Sequence, residues 1–115
     1  VSLEKQIFEA LKGLVDERVY PDIAPDAQLP YITYQQVGGQ AVNFVDGSIP
    51  DRSNARIQVD VWAATRLQAS QLSAAVESTM RSLTALQPTV LSARVDTYDE
   101  PTGARGAMQD FSLWY

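Results

Sequence analysis

The sequence predicts an α+β fold: a mostly antiparallel sheet of about four strands with two helices packed on one face, in the order α-β-β-α-β-β. Three observations carry this expectation. Two segments place apolar residues at helical spacing, near the N-terminus and in the middle of the chain. Three others alternate apolar and polar residues with period two, and a fourth is aromatic and β-branched. A long segment rich in Gly, Asn and Ser separates the first two strands and reads as a hairpin-like arm.

The first helix is expected from Leu3 to Val15, with Leu3, Ile7, Phe8, Leu11, Leu14 and Val15 as its apolar stripe. Ser2 suits the N-cap and Glu4 the positive end of the helix dipole. The helix stops before Val19-Tyr20-Pro21, since a residue preceding proline avoids the α region. Pro21, Pro25 and Pro30 then mark an irregular connection leading to a strand at Tyr31 to Val37. The arm spans Gly38 to Asn54 and carries Val42, Phe44, Val45 and Ile49, with Asp46-Gly47 as its turn. Ala55 to Ala63 is the clearest strand: Ala55, Ile57, Val59, Val61 and Ala63 share one face, and Arg56, Gln58, Asp60 and Trp62 the other.

Thr65-Arg66-Leu67-Gln68 has the form of a capping box opening the second helix. Leu72, Val76, Met80 and Leu83 form its buried stripe, with Ala69, Ala75 and Leu86 alongside, and Pro88 closes it. Val90 to Tyr98 is expected as one strand, with Leu91, Ala93, Val95 and Thr97 inward and Ser92, Arg94, Asp96 and Tyr98 outward. Asp99 to Gly103 forms the following turn. The last strand runs from Met108 to Tyr115, with Phe111, Leu113 and Tyr115 opposite Asp110, Ser112 and Trp114.

Composition narrows the function. The chain has 115 residues, read as a single domain over 1–115, with 45% hydrophobic and 20% charged residues, which excludes a wholly disordered chain or a coiled coil. It contains no cysteine and no histidine, so thiolate and imidazole metal sites, Ser-His-Asp triads and Cys-His pairs are excluded. A net charge of −5 argues against sequence-independent nucleic-acid binding, and no apolar run is long enough to cross a membrane. The first residues are acidic and polar where a secretory leader needs a basic start and an apolar run, so the expectation is retention in the compartment of synthesis.

Catalytic readings are weak. Asp22 with Asp26, Asp46 with Asp51, and Asp99 with Glu100 lie in turn-like segments where Asp serves backbone hydrogen bonds. Gly38-Gly39-Gln40 matches the Gly-Gly-Gln tripeptide of peptide-release factors but reads better as a bulge. Gly103 to Gly106 reads as a hairpin loop. No cofactor, metal or catalytic residue is expected. The polar face of the sheet instead combines charges with large aromatics, the composition of a protein-binding surface. The candidate interface residues are Trp62, Trp114, Tyr98, Arg56 and Asp60 on that face, with Phe44, Asp46 and Arg52 in the arm.

Several segments together resemble a known family. They are Leu3-Glu4-Lys5-Gln6-Ile7-Phe8-Glu9-Ala10-Leu11, Arg18-Val19-Tyr20-Pro21, Leu29-Pro30-Tyr31-Ile32-Thr33-Tyr34, Ala55 through Ala63, and the terminal Gln109-Asp110-Phe111-Ser112-Leu113-Trp114-Tyr115. In this order they resemble the tail completion, or tail-to-head joining, proteins of long-tailed phages and prophages, which are similar to tail terminators. The resemblance implies a structural virion protein without catalysis. It implies self-association into a ring, expected to be a hexamer on the tail, contacting the tail tube protein and the head connector. The implied location is the virion, and the bacterial host cytoplasm during assembly. The alternative is a small non-catalytic binding module of another complex.

Overall fold

The computed structural model describes residues 2–24 and 28–115; Pro25 and Asp26, named above, lie outside them. Helix α1 (Leu3–Leu11) is followed by β1 (Val19–Pro21), β2 (Tyr31–Gln36) and β3 (Asn54–Ala63). Helix α2 (Arg66–Arg81) precedes β4 (Thr89–Val90), β5 (Val95–Asp99) and β6 (Ala104–Trp114). The class is the one expected, α+β with two helices among the described residues, but the sheet they form has six strands. Its order is β1-β2-β3-β6-β4, and β5 pairs with β6 beside β4. Among the described residues only β1 and β2 run parallel.

Each helix starts where its cap residue dictates. The Ser2 hydroxyl accepts from the Lys5 amide at 3.2 Å, and the Thr65 hydroxyl accepts from the Gln68 amide at 3.1 Å. Helix α1 ends earlier than expected. A 3-10 turn over Lys12–Leu14 takes in Gly13, whose backbone freedom makes it a poor α-helix residue. Both helices bury their stripes on one sheet face. Ile7, Leu11, Val76 and Met80 meet Ile32, Val59, Val61, Phe111 and Leu113, and Phe111 is fully buried.

The extra strands come from segments too short to show periodicity. Val19–Pro21, read only as a helix stop, pairs along β2. The expected strand Val90–Tyr98 is broken at residues 91–94. There the Leu91 amide donates to Asp110 O at 2.9 Å, and the Asp110 amide donates to the Ser92 hydroxyl at 3.1 Å. The buried Gln109 amide completes this break, donating to Ser92 O at 3.0 Å and to Glu77 Oε1 of α2 at 2.6 Å. Beyond it the chain re-enters the ladder with its faces exchanged. Val95 pairs with Met108 on the open face, while Asp96 and Tyr98 pair with Ala107 and Arg105 on the helix face. The outward assignment of Asp96 and Tyr98 is therefore corrected. Finally, β6 begins at Ala104, so the expected Gly103–Gly106 loop is largely strand.

Candidate protein interface

The open face, opposite the helices, is set by register. Tyr31, Thr33 and Gln35 of β2 stand beside Trp62, Asp60 and Gln58 of β3, and these stand beside Gly106, Met108 and Asp110 of β6. The two tryptophans share this face but not a patch. Trp62 pairs with Gly106 and Trp114 pairs with Asn54. The two pairings are eight residue steps apart along β3, about 27 Å at the usual rise per residue.

At the first end, the Trp62 ring lies on Gly106. A Cβ there would sit 2.8 Å from the ring and would also collide with the Thr97 hydroxyl. Arg66, at the start of α2, fixes the neighbouring backbone. It donates to Gly106 O at 2.7 Å and Thr97 O at 2.8 Å, and pairs with Asp96 at 3.2 Å. Next to Trp62 a hollow of about 260 Å³ is lined by Asp22, Ile23, Ala24, Tyr31, Thr33, Asp60 and Trp62. Tyr20 packs edge-on against Tyr31 with ring centroids 6.4 Å apart. Asp60 Oδ1 is buried in this wall with no hydrogen-bond partner among the described residues. Burial, and secondarily repulsion from Asp110, pushes the Asp60 carboxyl above the ordinary range.

The middle of the face is polar. Arg56 reaches Asp110 Oδ2 at 2.7 Å, a pair joining β3 to β6. At the far end Trp114 meets the roots of the arm. Asn54 ties them together: its Oδ1 accepts from the Gln40 amide at 2.8 Å, and its Nδ2 donates to the Ser112 hydroxyl at 2.8 Å and to Leu113 O at 3.2 Å. Gly39 lies so close to Asn54 O that no side chain fits. On the returning side Ser53 and Tyr115 exchange both backbone hydrogen bonds, and Arg52 donates to Ala85 O at 3.1 Å. A second hollow, about 190 Å³, lies here between Gly39, Gln40, Asn54, Arg56, Leu91 and Ser112.

The arm beyond these roots has no strand, contrary to the hairpin-like expectation. Its tip is a turn closed by Gly47 N donating to Phe44 O at 3.0 Å, so Val45 and Asp46 occupy the centre of the turn that Asp46-Gly47 was expected to form. Asp46 accepts from the Ser48 amide at 2.9 Å, and that bond lowers its pKa. Phe44 is about half exposed, Val45 is fully exposed and Ile49 is 90% exposed. The molecule measures 53 × 24 × 23 Å, and ten strand residues span about 33 Å of its long dimension at most.

The sequence-predicted residues thus fall into separate groups. Asp60 and Trp62 share the first hollow, Arg52 and Trp114 lie at the arm's root, Phe44 and Asp46 form its tip, and Arg56 lies between. Tyr98 stands apart on the helix face under Arg105, whose guanidinium carbon is 4.2 Å from the ring centre. Sequence reasoning missed Tyr20, Ile23 and Tyr31. The alternation of Tyr31 and Thr33 with Ile32 and Tyr34 could have set Tyr31 opposite the core, but nothing local brings Ile23 onto the sheet. Among the described residues no three acidic or metal-binding side chains cluster, and no helix is long and apolar enough to cross a membrane.

A small α+β scaffold that leaves large apolar side chains bare on a projecting arm has the anatomy of an assembly component. A family model described as Tail completion protein gp17 matches residues 6–115, and the chain belongs to that family of structural phage proteins, with a structural role in tail completion. It is the family that the quoted segments resemble. Among solved structures, a chain from "Virion of native gene transfer agent (GTA) particle" is similar at 15% identity and a TM-score of 0.60, covering 98% of this chain and 93% of that one. The gp17 protein of bacteriophage SPP1 is similar at 18% identity and a TM-score of 0.56, covering 96% and 86%. These likenesses establish the shared fold. No curated protein matches the chain significantly.

Proposed function

We propose that the protein caps the head-proximal end of a phage tail and joins tail to head as a ring, expected to be a hexamer. In this reading it acts in the virion after assembly in the host cytoplasm, touches the tail tube protein and the head connector, and performs no catalysis. Ring closure requires a heterologous interface, one patch on each copy meeting a different patch on the next. The observation that carries the reading is the arm: Phe44, Val45 and Ile49 are exposed on a tip whose roots are pinned to the central strands. Apolar side chains held out in this way gain burial only from another subunit. The likeness to a chain from a virion particle supports the location.

The test is electron microscopy of particles from an induced lysogen carrying the gene deleted, restored, or restored with a Phe44→Ala, Ile49→Ala double substitution. Filled heads beside detached tails are expected for the deletion and the substituted gene. Normal virions from the deletion overturn the joining role and leave the binding-module reading.

A further inference from the structure

The hollow beside Trp62 contains a feature that neither folding nor the arm explains. Asp60 Oδ1 is buried and unpartnered among the described residues, in the wall of an open cavity of about 260 Å³. Buried acceptors without partners are rare in folded proteins; Oδ1 itself is closed to solvent, so an occupant of the cavity meets Asp60 through the atoms with which it lines the hollow. The arginines of the adjoining elements are already engaged: Arg18 with Pro30 O and Asp16, Arg56 with Asp110, and Arg66 with two carbonyls and Asp96. Among the described residues the other charged or titratable groups at the hollow are Asp22 and Tyr31 in its lining, with Asp110 close enough to raise Asp60 further. None supplies a positive charge.

We infer that this hollow receives an arginine side chain presented by a neighbouring protein of the assembly. The inference rests on the reading of the open face as an interface and names the chemistry of one partner group. A guanidinium is flat, donates from a rigid fork to a carboxylate, and stacks on aromatic faces. Here the carboxylate is Asp60 and the flanking rings are Trp62 and Tyr31, adjacent across β2 and β3. A lysine ammonium satisfies the carboxylate but uses the flat walls less well and is more strongly hydrated. The rim offers Ile23, 80% exposed, to the partner's aliphatic stem. A metal ion is a poorer occupant, since the two carboxylates of the lining, Asp22 and Asp60, with the Thr33 hydroxyl fall short of a coordination shell of six oxygens, and no three acidic side chains cluster among the described residues.

The test uses the free, isotope-labelled chain and acetyl-arginine amide, with acetyl-lysine amide in parallel. NMR follows the Asp60 carboxyl carbon and the Trp62 indole N–H. Saturable shifts at both, half-complete in the millimolar range, are expected for the arginine probe, with lysine at least about threefold weaker. Asp60→Asn, isosteric and checked for its fold by the same spectra, is expected to weaken binding about tenfold. No saturation in the wild-type chain, shifts that bypass Asp60, or equal response to both probes overturns the assignment. The assembly reading is judged separately. A failed titration with Phe44→Ala, Ile49→Ala still blocking joining removes only the arginine pocket. A successful titration with normal virions from the deletion removes only the tail role.

Discussion

Replacing Gly106 with alanine is the sharpest probe of how Trp62 is held. The added Cβ would sit 2.8 Å from two carbons of the Trp62 ring and would also strike the Thr97 hydroxyl. The hydroxyl can rotate away, but the ring is a flat plate. Carbon atoms pack at about 3.6 Å, so the ring must retreat by about 0.8 Å or tilt off the strand. Overpacking of this kind typically costs about 1–3 kcal/mol. In a chain of this size that lowers the melting temperature by roughly 4–12 °C. Urea unfolding and thermal melts give the loss, and tryptophan emission in a Trp114→Phe background reports the movement of Trp62 alone. A Gly106→Ala chain with unchanged stability and unchanged Trp62 emission would refute the claim that the ring rests on the β6 backbone.

Two further outcomes follow from the open face and the arm's root. Asn54→Ala removes the acceptor of the Gln40 amide and the donor to Ser112 and Leu113, and is expected to cost about 1–3 kcal/mol. Hydrogen exchange should accelerate at Gln40 while the centre of β3 stays protected; unchanged exchange at Gln40 would show that Asn54 does not anchor the arm. Asp60→Asn tests the sign of a buried charge. A carboxyl whose pKa is raised on folding binds its proton more tightly in the native state, so stability falls as pH rises from the ordinary Asp range through the raised value. The amide removes that loss: the variant should melt higher than the parent at pH 7, and the gap should close in acid, below the ordinary Asp range. A variant less stable at pH 7 would mean that the Asp60 charge is compensated in the native state.

Strands β3 and β6 were legible because each buries one face for most of its length, which writes period two into the sequence. The core residues Ile57, Val59, Val61, Phe111 and Leu113 were readable for the same reason. Residues 91–98 were misread because alternation is informative only while the ladder is unbroken. The Ser92 hydroxyl and the Gln109 amide break it through contacts far apart in sequence, and each residue after the break changes face. Tyr98 was assigned outward for that reason. The tryptophans were correctly set opposite the core, but alternation carries no information on distance along a strand. Their separation, and the different neighbours each one has, emerged only from the register.

The pinned roots of the arm have a mechanical consequence. Gln40 and Ser53 connect the arm to β3 and β6 at one end of the sheet, and those strands form its longest antiparallel pairing, over the ten residues of β3. A pull on the arm along the strand axis is therefore shared by that whole row of hydrogen bonds, which must shear together. A pull across the sheet would open them one at a time. The scaffold should thus resist extension along its length far better than peeling at its side. A subunit that transmits load through its arm is strongest when neighbours hold it with the strands along the line of tension.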